Sequence, residues 1–161
     1  MPGERRMVHA ATFALDVPKV MGKPRPRYGC GKTRQRLKGG KPYTPPAYKR
    51  YEEDLRSAMR HQFGEAWSEW PGEVRVRISI SRKYPKSRPL YSEGEPDTLK
   101  PDADNVAKSL LDAANGIAWA DDAQVTYLSV TKHPRWRRSM ERIEMSVEYW
   151  SWEPRRKGAG S

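Results

Sequence analysis

Val74, Val76, Ile78 and Ile80 alternate without a break with Arg75, Arg77, Ser79 and Ser81. Successive strand side chains point to opposite faces, so this period of two describes a strand with one core face and one wet face. Any fold for the chain must therefore contain a sheet buried on one side and solvated on the other. The same alternation marks a first strand over Val8 to Val17, with Ala11, Phe13, Leu15 and Val17 opposed to Thr12, Ala14 and Asp16. It marks a last strand over Arg142 to Trp150, where Ile143, Met145, Val147 and Tyr149 oppose Glu144, Ser146 and Glu148. A further strand is expected over Gln124 to Lys132.

Two stretches change to the helical period. Pro45-Pro46 opens one running to about Phe63, where Tyr48, Tyr51, Leu55, Ala58, Met59 and Phe63 recur at three and four. Glu52, Glu53 and Asp54 in its early turns complement the helix dipole. The second helix is expected from Asn105 to about Asn115, with Asp104 as its cap and Gly116 as its stop. The order strand, loop, helix, strand, loop, helix, strand, strand predicts an α+β domain: a small mixed sheet of about four strands packed with two main helices. Its last two strands are expected to form an antiparallel hairpin. A length of 161 residues fits one domain, taken as 1–152 with a basic loop at about 18–44. Residues 153–161 read as a disordered polar tail. Trp67, Trp70, Trp136, Trp150 and Trp152 read as core or interface residues.

The formal net charge is +11, which makes a polyanion the natural partner. Eleven of the cations, from Lys19 to Arg50, fall between Pro18 and Tyr51, where there is no Asp or Glu. Lys23, Arg25, Arg27, Lys32, Arg34 and Arg36 of this stretch are candidates for nucleic-acid backbone contacts, with Tyr28 or Tyr43 available to stack on an unpaired base. There is no apolar run of spanning length and no basic amphipathic helix, so no membrane role is expected. The N-terminus lacks the apolar stretch of a secretory signal, which predicts a cytoplasmic protein. Cys30 is the only cysteine and the three histidines lie far apart, so a metal would sit on oxygen ligands.

Against this basic background one segment is acidic. Between Pro101 and Val130 there are five aspartates and a single lysine. If Pro101 keeps the segment extended, Asp102 and Asp104 project to the same side and can meet one cation. Such crowding raises carboxyl pKa values unless a cation neutralises it. Asp104, Lys108 and Asp112 follow at four-residue spacing, one turn apart on a helix. Read singly, Asp104 is an N-cap, Asp102 a turn residue, Lys108 an intrahelical ion-pair partner, and Asp121-Asp122 a polar turn. Together, in a chain of the opposite charge, they suit a hard cation that also touches phosphate. Two other patterns fail. Gly29-Cys30-Gly31-Lys32-Thr33 lacks the spacing of a phosphate loop, so no nucleotide cofactor is expected. A calcium loop from Asp102 would need Gly and Glu where Ala107 and Ala113 stand.

The run from Pro101 through Asp102, Asp104, Asn105, Lys108, Leu110, Asp112, Gly116, Trp119, Asp121 and Asp122 to Val125 closely resembles the core signature of the RusA-type Holliday-junction resolvases. Gly22-Lys23-Pro24-Arg25-Pro26-Arg27, Tyr43-Thr44-Pro45 and the helix from Tyr48 to Met59 resemble the opening of the same family. The resemblance implies a magnesium-dependent endodeoxyribonuclease, with Mn2+ as a possible substitute. It implies metal binding by Asp102, Asp104 and Asp122, an essential lysine at Lys108 and a matching acid at Asp121; Asp112, one turn beyond Lys108, joins Asp121 as a supporting candidate. It also implies a homodimer, which suits the approximate two-fold symmetry of a four-way DNA junction cut by paired nicks. Other branched DNA as the substrate, or junction binding without cleavage, are the alternative readings.

Overall fold

The computed structural model describes residues 3–25, 27–28 and 42–155. Its elements are β1 (Glu4–Asp16), β2 (Arg27–Tyr28), β3 (Pro42–Tyr43), α1 (Pro46–Phe63), β4 (Glu73–Ser81), α2 (Ala103–Ala114), β5 (Val125–Lys132) and β6 (Arg142–Glu153). Short 3-10 turns occupy Leu90–Ser92 and Asp122–Gln124. The main sheet runs β1-β6-β4-β5, while β2 and β3 pair separately, Arg27 opposite Tyr43 and Tyr28 opposite Pro42. A mixed four-stranded sheet with two helices makes this a small α+β domain, as the periodicities predict.

The alternation in β4 works as anticipated. Val74, Val76, Ile78 and Ile80 stand opposite Tyr149, Val147, Met145 and Ile143 of β6, and all eight are buried. Phe13 joins them opposite Met145. Each such aliphatic side chain removed from water contributes roughly 1.5–3 kcal/mol. Both helices cover this face, contributing Tyr48, Tyr51, Leu55, Met59 and Phe63 from α1 and Val106, Leu110, Ala113 and Ala114 from α2. The opposite face is polar: Arg77 pairs with Glu148, and the Arg75 guanidinium lies 4.5 Å from the Tyr127 ring centre.

The expected β5–β6 hairpin does not form. β5 pairs only with β4, in parallel, and β6 lies antiparallel between β1 and β4. The physical reason is burial. Ile143, Met145, Val147 and Tyr149 are completely buried and need partners on both sides of the strand, whereas Thr126, Tyr127 and Leu128 of β5 are exposed and suit an edge. A parallel β4–β5 pair in turn requires a long crossover, which α2 provides.

Three local expectations shift. α1 has no acid in its first turn, so Glu52, Glu53 and Asp54 lie too far along for a strong dipole interaction. α2 begins at Ala103 with Asp102 in the cap position, so Asp104 is a first-turn residue and not the cap. Asp102 is extended and Asp104 helical, so the two are not an extended pair on one side of a strand. β6 reaches Glu153, which pairs with Glu4, and therefore runs past the Trp150 boundary. Of the tryptophans, Trp67 stacks on Tyr149 with ring centres 4.2 Å apart, while Trp136 and Trp152 are exposed.

Candidate active site

The acidic residues gather around α2 and the turn that follows it. Asp102 occupies the cap position in an extended conformation (φ −70°, ψ 147°), and its side chain does not bond the helix backbone. Lys100 donates to it at 2.8 Å. That hydrogen bond, and the charge behind it, hold the Asp102 carboxyl below the ordinary range, with Lys132 and Arg25 adding smaller attractions. Asp104 and Lys108 are exposed on α2 at four-residue spacing, and no ion pair joins them among the described residues.

Asp112, one turn beyond Lys108, pairs instead with Lys23. Lys23 reaches it because the segment before Pro24 lies flat on α2. The Lys23 backbone N–H donates to the Asn105 carbonyl at 3.0 Å, and the Ser109 hydroxyl donates to the Met21 carbonyl at 3.3 Å. Gly22 permits the approach, because a Cβ there would lie 2.9 Å from Asn105 Cβ. Arg56 of α1 donates to the carbonyls of Asp112 and Ala113 at 3.3 and 3.2 Å, satisfying the C-terminal end of the helix.

The other side of the site is a rigid turn. Trp119 is fully buried and its indole N–H donates to Asp122 Oδ1 at 2.8 Å. Asp121 caps the following 3-10 turn by accepting from Ala123 N at 2.9 Å, while Gln124 Oε1 accepts from Asp121 N at 2.9 Å. The Gln124 amide also donates to the Gly72 carbonyl at 2.8 Å, locking the turn to the start of β4. Tyr149 of β6 donates to the Ala118 carbonyl at 2.8 Å and secures the chain just before Trp119. Burial pushes the Asp122 carboxyl up from its ordinary value; the Trp119 hydrogen bond opposes this, Asp112 and Asp121 push it further up, and Lys23 pulls it down. Asp112, Asp121, Asp122 and Lys23 therefore share one electrostatic neighbourhood.

Gln124 and Trp119, which secure this turn, lie outside the candidate residues the sequence offers. The spacing Asp121 to Gln124 is a capping-box pattern and could have revealed the first. Nothing local distinguishes Trp119 from an ordinary core aromatic. Of the basic candidates, Lys23 faces the acidic site and Arg25 is exposed near Asp102. Arg27 lies in β2, while Lys32, Arg34 and Arg36 lie outside the described residues. A cleft of about 600 Å³ opens beside Asp102 between the segment holding Lys19 to Pro24, the start of α1 and the first turn of α2, with Lys19, Lys23 and Lys100 on its walls.

The carboxylates are hard oxygen donors of the type magnesium takes. Among the described residues, no three His, Cys, Asp or Glu side chains converge closely enough to hold an ion. Asp102 is turned onto Lys100 and Asp112 onto Lys23. The donor chemistry of the carboxylates fits a hard cation.

The sequence profile described as Endodeoxyribonuclease RusA matches residues 18–148, a span holding every acidic residue of the site. The chain belongs to the RusA endodeoxyribonuclease family. No curated protein matches it. Membership gives the shared electrostatic neighbourhood a chemical context: RusA proteins are endodeoxyribonucleases, and Lys23 both pairs with Asp112 and lines the cleft beside Asp102. No described helix is long and apolar enough to cross a membrane.

Proposed function

We propose that this RusA-family protein is a divalent-metal-dependent endonuclease that resolves Holliday junctions by paired nicks, acting as a homodimer with one acidic site per protomer. The observation that carries the reading is the gathering of Asp112, Asp121 and the partly buried Asp122 beside Lys23, in a protein of net charge +11. Acids crowded together in a phosphate-binding protein work against affinity unless they hold a cation at the phosphate.

Asp102, Asp104 and Asp122 would hold Mg2+, or Mn2+ in its place. Bound there, the ion would supply Lewis-acid polarisation of the phosphate and a more acidic water. The protein's own residues do the remainder. Trp119 fixes the orientation of Asp122, and the cap of α2 presents Asp102. Lys108 stands one turn from Asp104, where an ammonium stabilises charge developing on the phosphate. Lys19, Lys23 and Arg25 line or flank the cleft and engage the DNA backbone.

The test is incubation of wild-type and Asp102→Asn protein with labelled four-way junctions, forked DNA and linear duplex, with and without Mg2+. Symmetrical nicking of the four-way junction by the wild type, dependent on the ion and absent in Asp102→Asn, is expected. Metal-dependent nicking that persists in Asp102→Asn would sink the assignment. Junction binding without cleavage in Mg2+ would favour a purely structural role for the acids.

A further inference from the structure

Where β4 and β5 end, one carboxylate is surrounded by three cations. The Asp97 side chain is 1% exposed, against 8% for Arg82 and 12% for both Lys132 and Arg135. Arg82 Nη1 donates to both Asp97 oxygens at 3.0 and 3.3 Å. Lys132 Nζ and Arg135 Nη1 stand 3.9 and 3.8 Å from the same carboxylate. The nearby buried acid Glu141 is committed elsewhere, accepting from the Val20 and Lys83 backbone N–H groups at 2.8 and 3.0 Å. Gathering this much charge away from water is costly, and a hydrophobic cluster would stabilise the domain as well or better. Its hydrogen bonds show what it accomplishes.

Lys132 Nζ donates to the carbonyls of Leu99 and Pro101 at 2.5 and 3.1 Å. Arg82 Nη1 also donates to the Leu99 carbonyl, at 3.3 Å, and the Leu99 N–H donates to Asp97 Oδ1 at 3.3 Å. The clamp therefore holds the backbone on both sides of Lys100, and the next residue is Asp102. Lys132 lies at the end of β5, in register with Ile80 of β4, so the chain before Asp102 is tied to the main sheet.

We propose that Lys132, itself set by Asp97 and Arg82, is a positioning residue for the active site: it fixes the Leu99 and Pro101 carbonyls and thereby aims Asp102. This rests on the proposed role of Asp102 in cleavage. Lys132 hydrogen-bonds none of the carboxylates of the acidic site and its side chain is only 12% exposed; apart from a small charge attraction on Asp102, its effect passes through the backbone it grips. Supporting contacts one layer removed from a metal ligand typically alter affinity or rate by about 10- to 100-fold.

The test compares wild type, Lys132→Met, Lys132→Arg and Asp102→Asn in three measurements. These are single-turnover cleavage of a four-way junction in Mg2+, junction affinity without divalent ion, and Mn2+ binding to the protein followed by electron paramagnetic resonance. For Lys132→Met, cleavage should slow and Mn2+ affinity should weaken by about 10- to 100-fold, with junction affinity changed by less than about threefold because Lys132 is interior. Lys132→Arg should recover most of both losses. Should Lys132→Met fail to fold, Lys132→Gln, whose amide can donate to one carbonyl, should show an intermediate loss. Wild-type rate and Mn2+ affinity in a folded Lys132→Met or Lys132→Gln protein overturn the proposal. So does a loss of junction affinity equal to the loss in rate, which would make Lys132 a direct DNA contact. Wild-type cleavage by Asp102→Asn overturns the role of Asp102 and the positioning proposal with it, whereas inactive Asp102→Asn beside fully active Lys132→Met overturns the positioning alone.

Discussion

Gly22→Ala tests whether the segment carrying Lys23 is pinned to α2. The added Cβ would lie 2.9 Å from Asn105 Cβ, 3.2 Å from Pro101 Cβ and 3.4 Å from the Asn105 carbonyl carbon. Comfortable carbon contacts begin near 3.5 Å, so the chains must separate by roughly half an ångström. None of these atoms is the end of a flexible side chain: two belong to the α2 backbone or its first carbon, and the third to a proline ring. The segment cannot swing away freely, because Val20 N donates to Glu141 at 2.8 Å and Lys23 N donates to the Asn105 carbonyl at 3.0 Å. Overpacking of this kind costs about 1–3 kcal/mol, and loss of the Lys23–Asn105 hydrogen bond adds about 1 kcal/mol. The expected total is ~2–4 kcal/mol, which at a urea slope of about 2 kcal/mol/M lowers the unfolding midpoint by roughly 1–2 M. Urea titration followed by tryptophan fluorescence measures it. The pairing of Lys23 with Asp112 should loosen with the segment, so cleavage should fall as well. A destabilisation below about 0.5 kcal/mol with cleavage intact would refute this packing and the placement of Lys23 that depends on it.

Asp122→Asn should abolish cleavage yet leave stability unchanged or slightly higher, since the amide oxygen still accepts from Trp119 while a charge disfavoured by burial, Asp112 and Asp121 is removed; a clear fall in the thermal midpoint would count against it. Because its pKa is raised, Asp122 adds stability that is fully present below the ordinary aspartate pKa and lost as pH rises through the folded value, a trend absent from the pH–stability curve of Asp122→Asn. By the same shift, the acid limb of the cleavage–pH profile should lie above an ordinary carboxylate's, and Asp112→Asn should move it to lower pH; a limb that does not move excludes Asp112 as a cause. Tyr149→Phe removes the buried donor to the Ala118 carbonyl and should cost about 1–3 kcal/mol in urea unfolding, with no loss indicating that water replaces it.

The periodicities in the sequence determined the element types because they record which face of each element must leave water. Val74 to Ile80 and Ile143 to Tyr149 could only be half-buried strands, and the apolar positions from Tyr48 to Phe63 only one face of a helix. The acidic run stands out in the sequence as five aspartates in a basic chain, although each taken singly has an ordinary structural reading. Strand order was not legible. Period-two alternation states that a strand has a buried face but not who its neighbours are, and the expected hairpin gave way to a central β6 and an edge β5 once burial across the whole sheet was satisfied. The site divides in the same manner. Asp102, Asp104, Lys108 and Asp122 stand out as residue types at a spacing. The contacts that hold Asp102 and Asp122 come from remote parts of the chain: Lys132 on β5 grips the backbone before Asp102, and Tyr149 on β6 secures the chain before Trp119. Such contacts depend on which strands end beside which loop, and only tertiary packing decides that.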